Sequence, residues 1–172
     1  LHNHEVIINS AIAIIGLIFG KEELVKEAVY EKYGLLYQLE HGMLSNHMWF
    51  EGAFGYHFYA LTSFYAYEKF ALHTPHSHIH HPNYKAMMEL LFSYLEPGFR
   101  VPMLNDTNYG HTSSIYYLYE FAYREIGGDK LLYVLKELYK DEARDNLEAF
   151  IYGVDILPTC DIVPTGNHIE EG

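Results

Sequence analysis

The stretch Trp49-Phe50-Glu51-Gly52-Ala53-Phe54-Gly55-Tyr56-His57-Phe58-Tyr59 gathers a carboxylate, a phenol and an imidazole within seven residues, set among glycines and aromatics. Glu51 can accept hydrogen bonds, Tyr56 can donate or accept one, and His57 changes charge near neutral pH. Gly52 and Gly55 permit close backbone approach where a helix begins. Such a set can carry acid/base chemistry on a substrate lying across the helix start. A structural reading stands beside it, because a tyrosine near a helix start commonly packs its ring and ties its hydroxyl to a neighbouring group. Residue types alone leave both open.

Two other stretches hold groups of chemical interest. His73-Thr74-Pro75-His76-Ser77-His78-Ile79-His80-His81-Pro82 is a proline-bounded loop with imidazoles that suit zinc, yet no cysteine or ordered carboxylate completes a ligand set. A solvated loop is the expectation there, and no metal site is assigned. His47 and Glu51 stand four apart, but in a turn-rich stretch where helical ligand spacing is not established. The run Asn105-Asp106-Thr107-Asn108-Tyr109-Gly110 has side chains that either line a cleft or make turns and cap the following helix.

Composition narrows the partners. With 172 residues and 49% hydrophobic content the chain can bury a core of its own. A formal charge of -12 argues against nucleic acid and against an anionic membrane surface, both of which call for a basic footprint. The single cysteine, Cys160, excludes an internal disulfide and reads as a free buried thiol, leaving the redox compartment open. No stretch reaches 18 apolar residues without charge, and no basic-apolar leader opens the sequence, so neither a span nor a signal peptide is expected. Aromatic content of 16% permits a carbohydrate cleft, since aromatic faces stack on sugar rings, although core packing also uses them.

The elements that must position these groups read as helices. Residues 5–19 are apolar nearly all round and read as a helix buried on most sides; residues 22–40 read as one amphipathic helix stopped by Gly42. Further helices are expected over 56–72, 84–95, 113–126, 130–139 with Asp129 as its cap, and 141–152. From Gly153 the chain turns extended and proline-punctuated. Antiparallel helices without alternating strand patterns predict an all-α fold, and a hairpin unit recurring every roughly 40 to 55 residues suits stacked α/α toroids.

The run from Phe50 to Tyr59, with Asn3-His4 upstream, resembles the heparinase II/III-like and oligoalginate lyase group of polysaccharide lyases. In that family an Asn-His pair opens an inner helix, and a Glu followed five residues later by Tyr-His opens a later one. The resemblance extends from Asn3 through Asn105-Asp106 to the extended tail. It implies an incomplete (α/α) toroid over residues 1–153 and a linker over 154–172, with Thr165-Gly166-Asn167-His168 resembling the start of a β region. Further helices before this chain and a β-sandwich after it, supplying another histidine, would belong to the same protein, which would be periplasmic or secreted.

The implied activity is β-elimination on a uronic-acid polysaccharide of alginate or heparan type, with no cofactor. In that scheme Asn3 and His4 neutralise the uronate carboxylate, and Tyr56 takes the C5 proton and returns one to the departing O4. A phenol with a pKa near 10 needs positive charge or hydrogen-bond donors nearby to work as a base. Glu51, His57, Asn105, Asp106 and Tyr109 are the substrate-binding candidates, with Glu51 open between subsite and scaffold. The alternative is a noncatalytic carbohydrate-binding or structural helical module in which Tyr56 is a packed aromatic.

Overall fold

The computed structural model describes residues 2–96, 98–107 and 115–164, and among these no strand occurs, so the class is all-α. Tyr109 and the tail from Thr165, where a β region was expected, lie outside the described residues. The helices are α1 (Asn3–Phe19), α2 (Glu22–Val25, continued by a π-helical turn over Lys26–Tyr30), α3 (Leu35–His41), α4 (Phe54–Ala71), α5 (Pro82–Tyr94), α6 (Tyr116–Glu125), α7 (Asp129–Leu138) and α8 (Leu147–Tyr152). Two compact units divide them. The first runs to Met87 and takes in Leu104–Asp106; the second holds Met88–Met103 and the chain from Thr107 on.

In the first unit α1 packs on α4, α2 and α3. Its buried positions, Asn3, Val6, Ser10, Ala13 and Gly16, form one narrow stripe of mostly small residues that lets neighbouring backbones come close. Ile7, Ile8, Ile15, Ile18 and Phe19 are exposed, so α1 is not buried on most sides as its composition suggests. An apolar composition says that a residue favours burial, not that the described chain holds a partner for it.

The single helix expected over 22–40 is broken at Tyr33, which adopts a left-handed backbone with φ 69°. Its carbonyl is captured by Asn9 Nδ2 at 2.8 Å and by Gln38 Nε2 at 3.1 Å. Side chains from two helices thus hold open a break that periodicity does not disclose. Trp49, Phe54, Tyr67, Tyr84 and Met87 are the largest fully buried side chains of this unit, together with Met48 and leucines 35, 39 and 61.

The histidine-rich loop is not simply solvated. Glu68 of α4 is 1% exposed, and its carboxylate accepts hydrogen bonds from Ser77 Oγ at 2.7 Å and His78 N at 2.9 Å. Tyr67 donates to the His76 carbonyl at 2.6 Å, and the Tyr30 hydroxyl is hydrogen-bonded to His76 Nδ1 at 2.9 Å. Burial raises the Glu68 pKa to about 7 against the lowering effect of those donors. Among the described residues no group of three or more His, Cys, Asp or Glu is arranged to hold a metal ion.

In the second unit α6 packs on α7 and α8. Leu131, Leu132, Val134, Leu135 and Leu138 line the buried face of α7, whose N-cap is Gly128 with Asp129 in the first turn. The last helix begins at Leu147, later than expected, because the Asn146 side chain caps it by accepting from Ala149 N at 2.9 Å. Arg144 bridges to Glu120 through two N–H groups at 2.7 and 2.8 Å and donates a third bond to the Val154 carbonyl at 2.6 Å. Lys136 Nζ donates to the Pro158 carbonyl at 2.9 Å, so the extended segment after Gly153 is part of this unit's packing. Cys160 is half-buried, its thiol 3.5 Å from the Asp129 carbonyl. No helix among the described residues is long and apolar enough to cross a membrane.

Candidate functional site

The approach to α4 is built on Trp49. An isolated bridge pairs Met43 with Trp49, Phe50 N donates to the Gly42 carbonyl at 3.0 Å, and the Trp49 ring is fully buried. Its indole Nε1–H donates to Glu51 Oε2 at 2.7 Å, which fixes the carboxylate beside the helix start. Gly52 then turns with φ 68°, a conformation that disfavours a side chain, and Ala53 leads into α4 in extended geometry.

His57 locks this approach to the helix. Its Nδ1 accepts from Trp49 N at 3.1 Å, so the proton sits on Nε2, which donates to the Met87 carbonyl at 3.1 Å. The ring is 1% exposed and burial lowers its pKa to about 4, keeping it neutral. The substrate-binding expectation for His57 is therefore corrected: both ring nitrogens are used internally and the ring is beyond reach of a polymer. A buried helix start needs partners for its backbone groups, and an imidazole supplies both a donor and an acceptor.

Tyr56, one residue earlier and so about 100° around the helix, is partly exposed. Its hydroxyl donates to Asp106 Oδ2 at 2.7 Å. Asp106 is delivered by Asn105, which takes a left-handed backbone with φ 49° and donates from Nδ2 to the Gly52 carbonyl at 2.8 Å. A Cβ at Gly52 would lie 2.5 Å from that Nδ2, so the glycine provides room for the Asn105 contact as well as the turn. Glu51 and Tyr56, joined by the adjacent Asn105 and Asp106 from a distant part of the sequence, thus form one exposed to half-exposed cluster.

The Asn3-His4 pair splits. His4 is exposed, stacks on His2 with ring centroids 4.7 Å apart, and meets Tyr59 edge-on at 5.9 Å. Tyr59 lies three residues after Tyr56, on the same side of α4, so the start of α1 borders the face that carries Tyr56. Asn3 is 3% exposed and its Oδ1 has no hydrogen-bond partner among the described residues. Of the pair, His4 is the member accessible from outside. His2, which caps α1 by accepting from His4 N at 3.2 Å, and Tyr59 were not singled out from sequence. The i, i+3 spacing of Tyr56 and Tyr59 was the available signal.

The electrostatics of Tyr56 run against a ready-made base. Its pKa is raised, first by the hydrogen bond to Asp106, then by that carboxylate's charge, by partial burial and by Glu51. As it stands, Tyr56 holds its proton firmly and presents it to a carboxylate. Comparison with protein-family models, with curated proteins and with solved structures finds no match to this chain.

Proposed function

We propose that this chain carries part of the active site of a polysaccharide lyase of the heparinase II/III-like type, cleaving a uronate polysaccharide by β-elimination. The observation that supports it best is the convergence of Tyr56 with Glu51, Asn105 and Asp106 on a helix face bordered by His4. His4 offers a donor to the substrate carboxylate, which makes the adjacent C5 proton removable as enolate-like charge develops. Tyr56 takes that proton and delivers one to O4 as the C4–O4 bond breaks. Asn105 and Glu51 flank the reacting sugar, and neither metal nor cofactor enters the step. The helices belong, on this reading, to an (α/α) toroid completed by preceding helices and followed by a β-sandwich, in a periplasmic or secreted protein.

The two carboxylates beside Tyr56 favour a second reading, a carbohydrate-binding module, because carboxylates and phenols also hydrogen-bond sugar hydroxyls without reacting. One assay separates the two. The intact protein and a Tyr56→Phe variant are incubated with alginate, heparan sulfate and related polymers, following the ultraviolet absorbance of the unsaturated product. The lyase reading expects product from the wild type and a loss of about 10²- to 10⁴-fold in the variant. Binding without product from any polymer supports the module, and equal rates from both proteins remove Tyr56 from the mechanism.

A further inference from the structure

We infer that Asp106 is the proton acceptor for Tyr56, a positioning residue through which the phenol becomes a base; the inference rests on the lyase reading above. The chain makes a short excursion to reach this place. Leu104–Asp106 belongs to the first unit, while the residues on both sides of it belong to the second. The excursion is pinned by the left-handed Asn105 and its bond to the Gly52 carbonyl, on the glycine that also begins the turn into α4. What this delivers is one carboxylate oxygen 2.7 Å from one phenol oxygen. Asp106 is exposed, so its place is not explained by core packing.

The geometry offers a way for a firmly protonated phenol to accept a proton. As the C5–H bond breaks, its proton forms a new O–H bond on Tyr56, and the original phenol proton passes to Asp106. The electron pair left at C5 is delocalised into the neutralised carboxylate of the uronate. It then forms the C4=C5 double bond as C4–O4 breaks, Tyr56 protonates O4, and Asp106 returns its proton to Tyr56. Protons and electrons balance without any further reagent.

The test pairs kinetics with a signal from Tyr56 itself. Tyrosine ring carbons are isotopically labelled, the Tyr56 resonance is assigned through Tyr56→Phe, and its titration is followed by NMR in wild type, Asp106→Asn and Asp106→Glu. The expected result is that Tyr56 titrates at lower pH in Asp106→Asn than in the wild type. With it, kcat falls about 100-fold at little change in KM, with partial recovery in Asp106→Glu. An unmoved Tyr56 titration in Asp106→Asn overturns the inference whether or not the protein is active. A moved titration in a wild type that makes no product from any uronate polymer overturns the lyase reading instead, and the relay with it. A moved titration with undiminished kcat overturns the relay alone.

Discussion

At the residue scale His57 is the group on which the site's framework depends. It satisfies Trp49 N–H and the Met87 carbonyl at once, in a place that water does not reach. His57→Ala would orphan both groups and leave a cavity, at a cost of about 2–4 kcal/mol by denaturant unfolding. The imidazole also sets a pH dependence. Its folded pKa, about 4, lies below the ordinary 6.5, so the unfolded chain binds the proton more readily. The stability that depends on neutral His57 is present above pH 6.5 and is lost as pH falls toward 4. Unfolding curves of wild type and His57→Gln across that window are expected to differ in slope, the variant being flatter. Tyr56 differs from His57 in every respect that matters for chemistry: it is partly open, it carries its proton, and its partner is a charge.

At the element scale α4 joins two structures through adjoining turns. Its first turns hold the Tyr56 cluster, and its later turns hold Glu68, around which the histidine-rich loop is wrapped. Glu68 has a folded pKa raised to about 7 from 4.5, so the folded chain binds its proton more readily. Its contribution is therefore greatest below pH 4.5 and is lost as pH rises through about 7, opposite in sense to that of His57. Glu68→Gln keeps an acceptor for the loop N–H groups without burying a charge. It is expected to be more stable than wild type at pH 8, by about 1–2 kcal/mol, with the advantage shrinking toward pH 5. Thermal unfolding at the two pH values reads this directly, and a constant difference would remove Glu68 as the titrating group. Glu68→Ala, which orphans the loop donors, has no such compensation.

At the scale of the whole molecule, the chain divides into two compact units, and the second holds an ion pair whose carboxylate is buried. Glu120 is 1% exposed and meets Arg144 through two parallel hydrogen bonds, while the same guanidinium reaches the Val154 carbonyl. Arg144→Ala leaves the buried carboxylate without its cation, at a cost of about 3–5 kcal/mol to that unit. Hydrogen exchange is expected to show faster amides over 116–125 and 147–152 while those of 54–71 keep their protection. Uniform loss across both units would mean that the two unfold together.

Sequence by itself determined the class and the positions of most helices, because a 3.6-residue apolar period and glycine or proline punctuation are local signals. It also marked Glu51, Tyr56, Asn105 and Asp106 as residues of interest from their types. Tertiary structure decided the rest. Only it could break the 22–40 helix at Tyr33, since the carbonyl there is held by Asn9 from another helix. Asn3 sits between exposed neighbours and His57 between partly exposed ones, yet both are buried, because a helix turns each residue about 100° from the last and only packing says which side is covered. The stretch from Trp49 to Tyr59 held groups of chemical interest in its composition, but the hydrogen-bond partner of Tyr56 lies fifty residues away. No local rule connects the two; a three-residue return of the chain does.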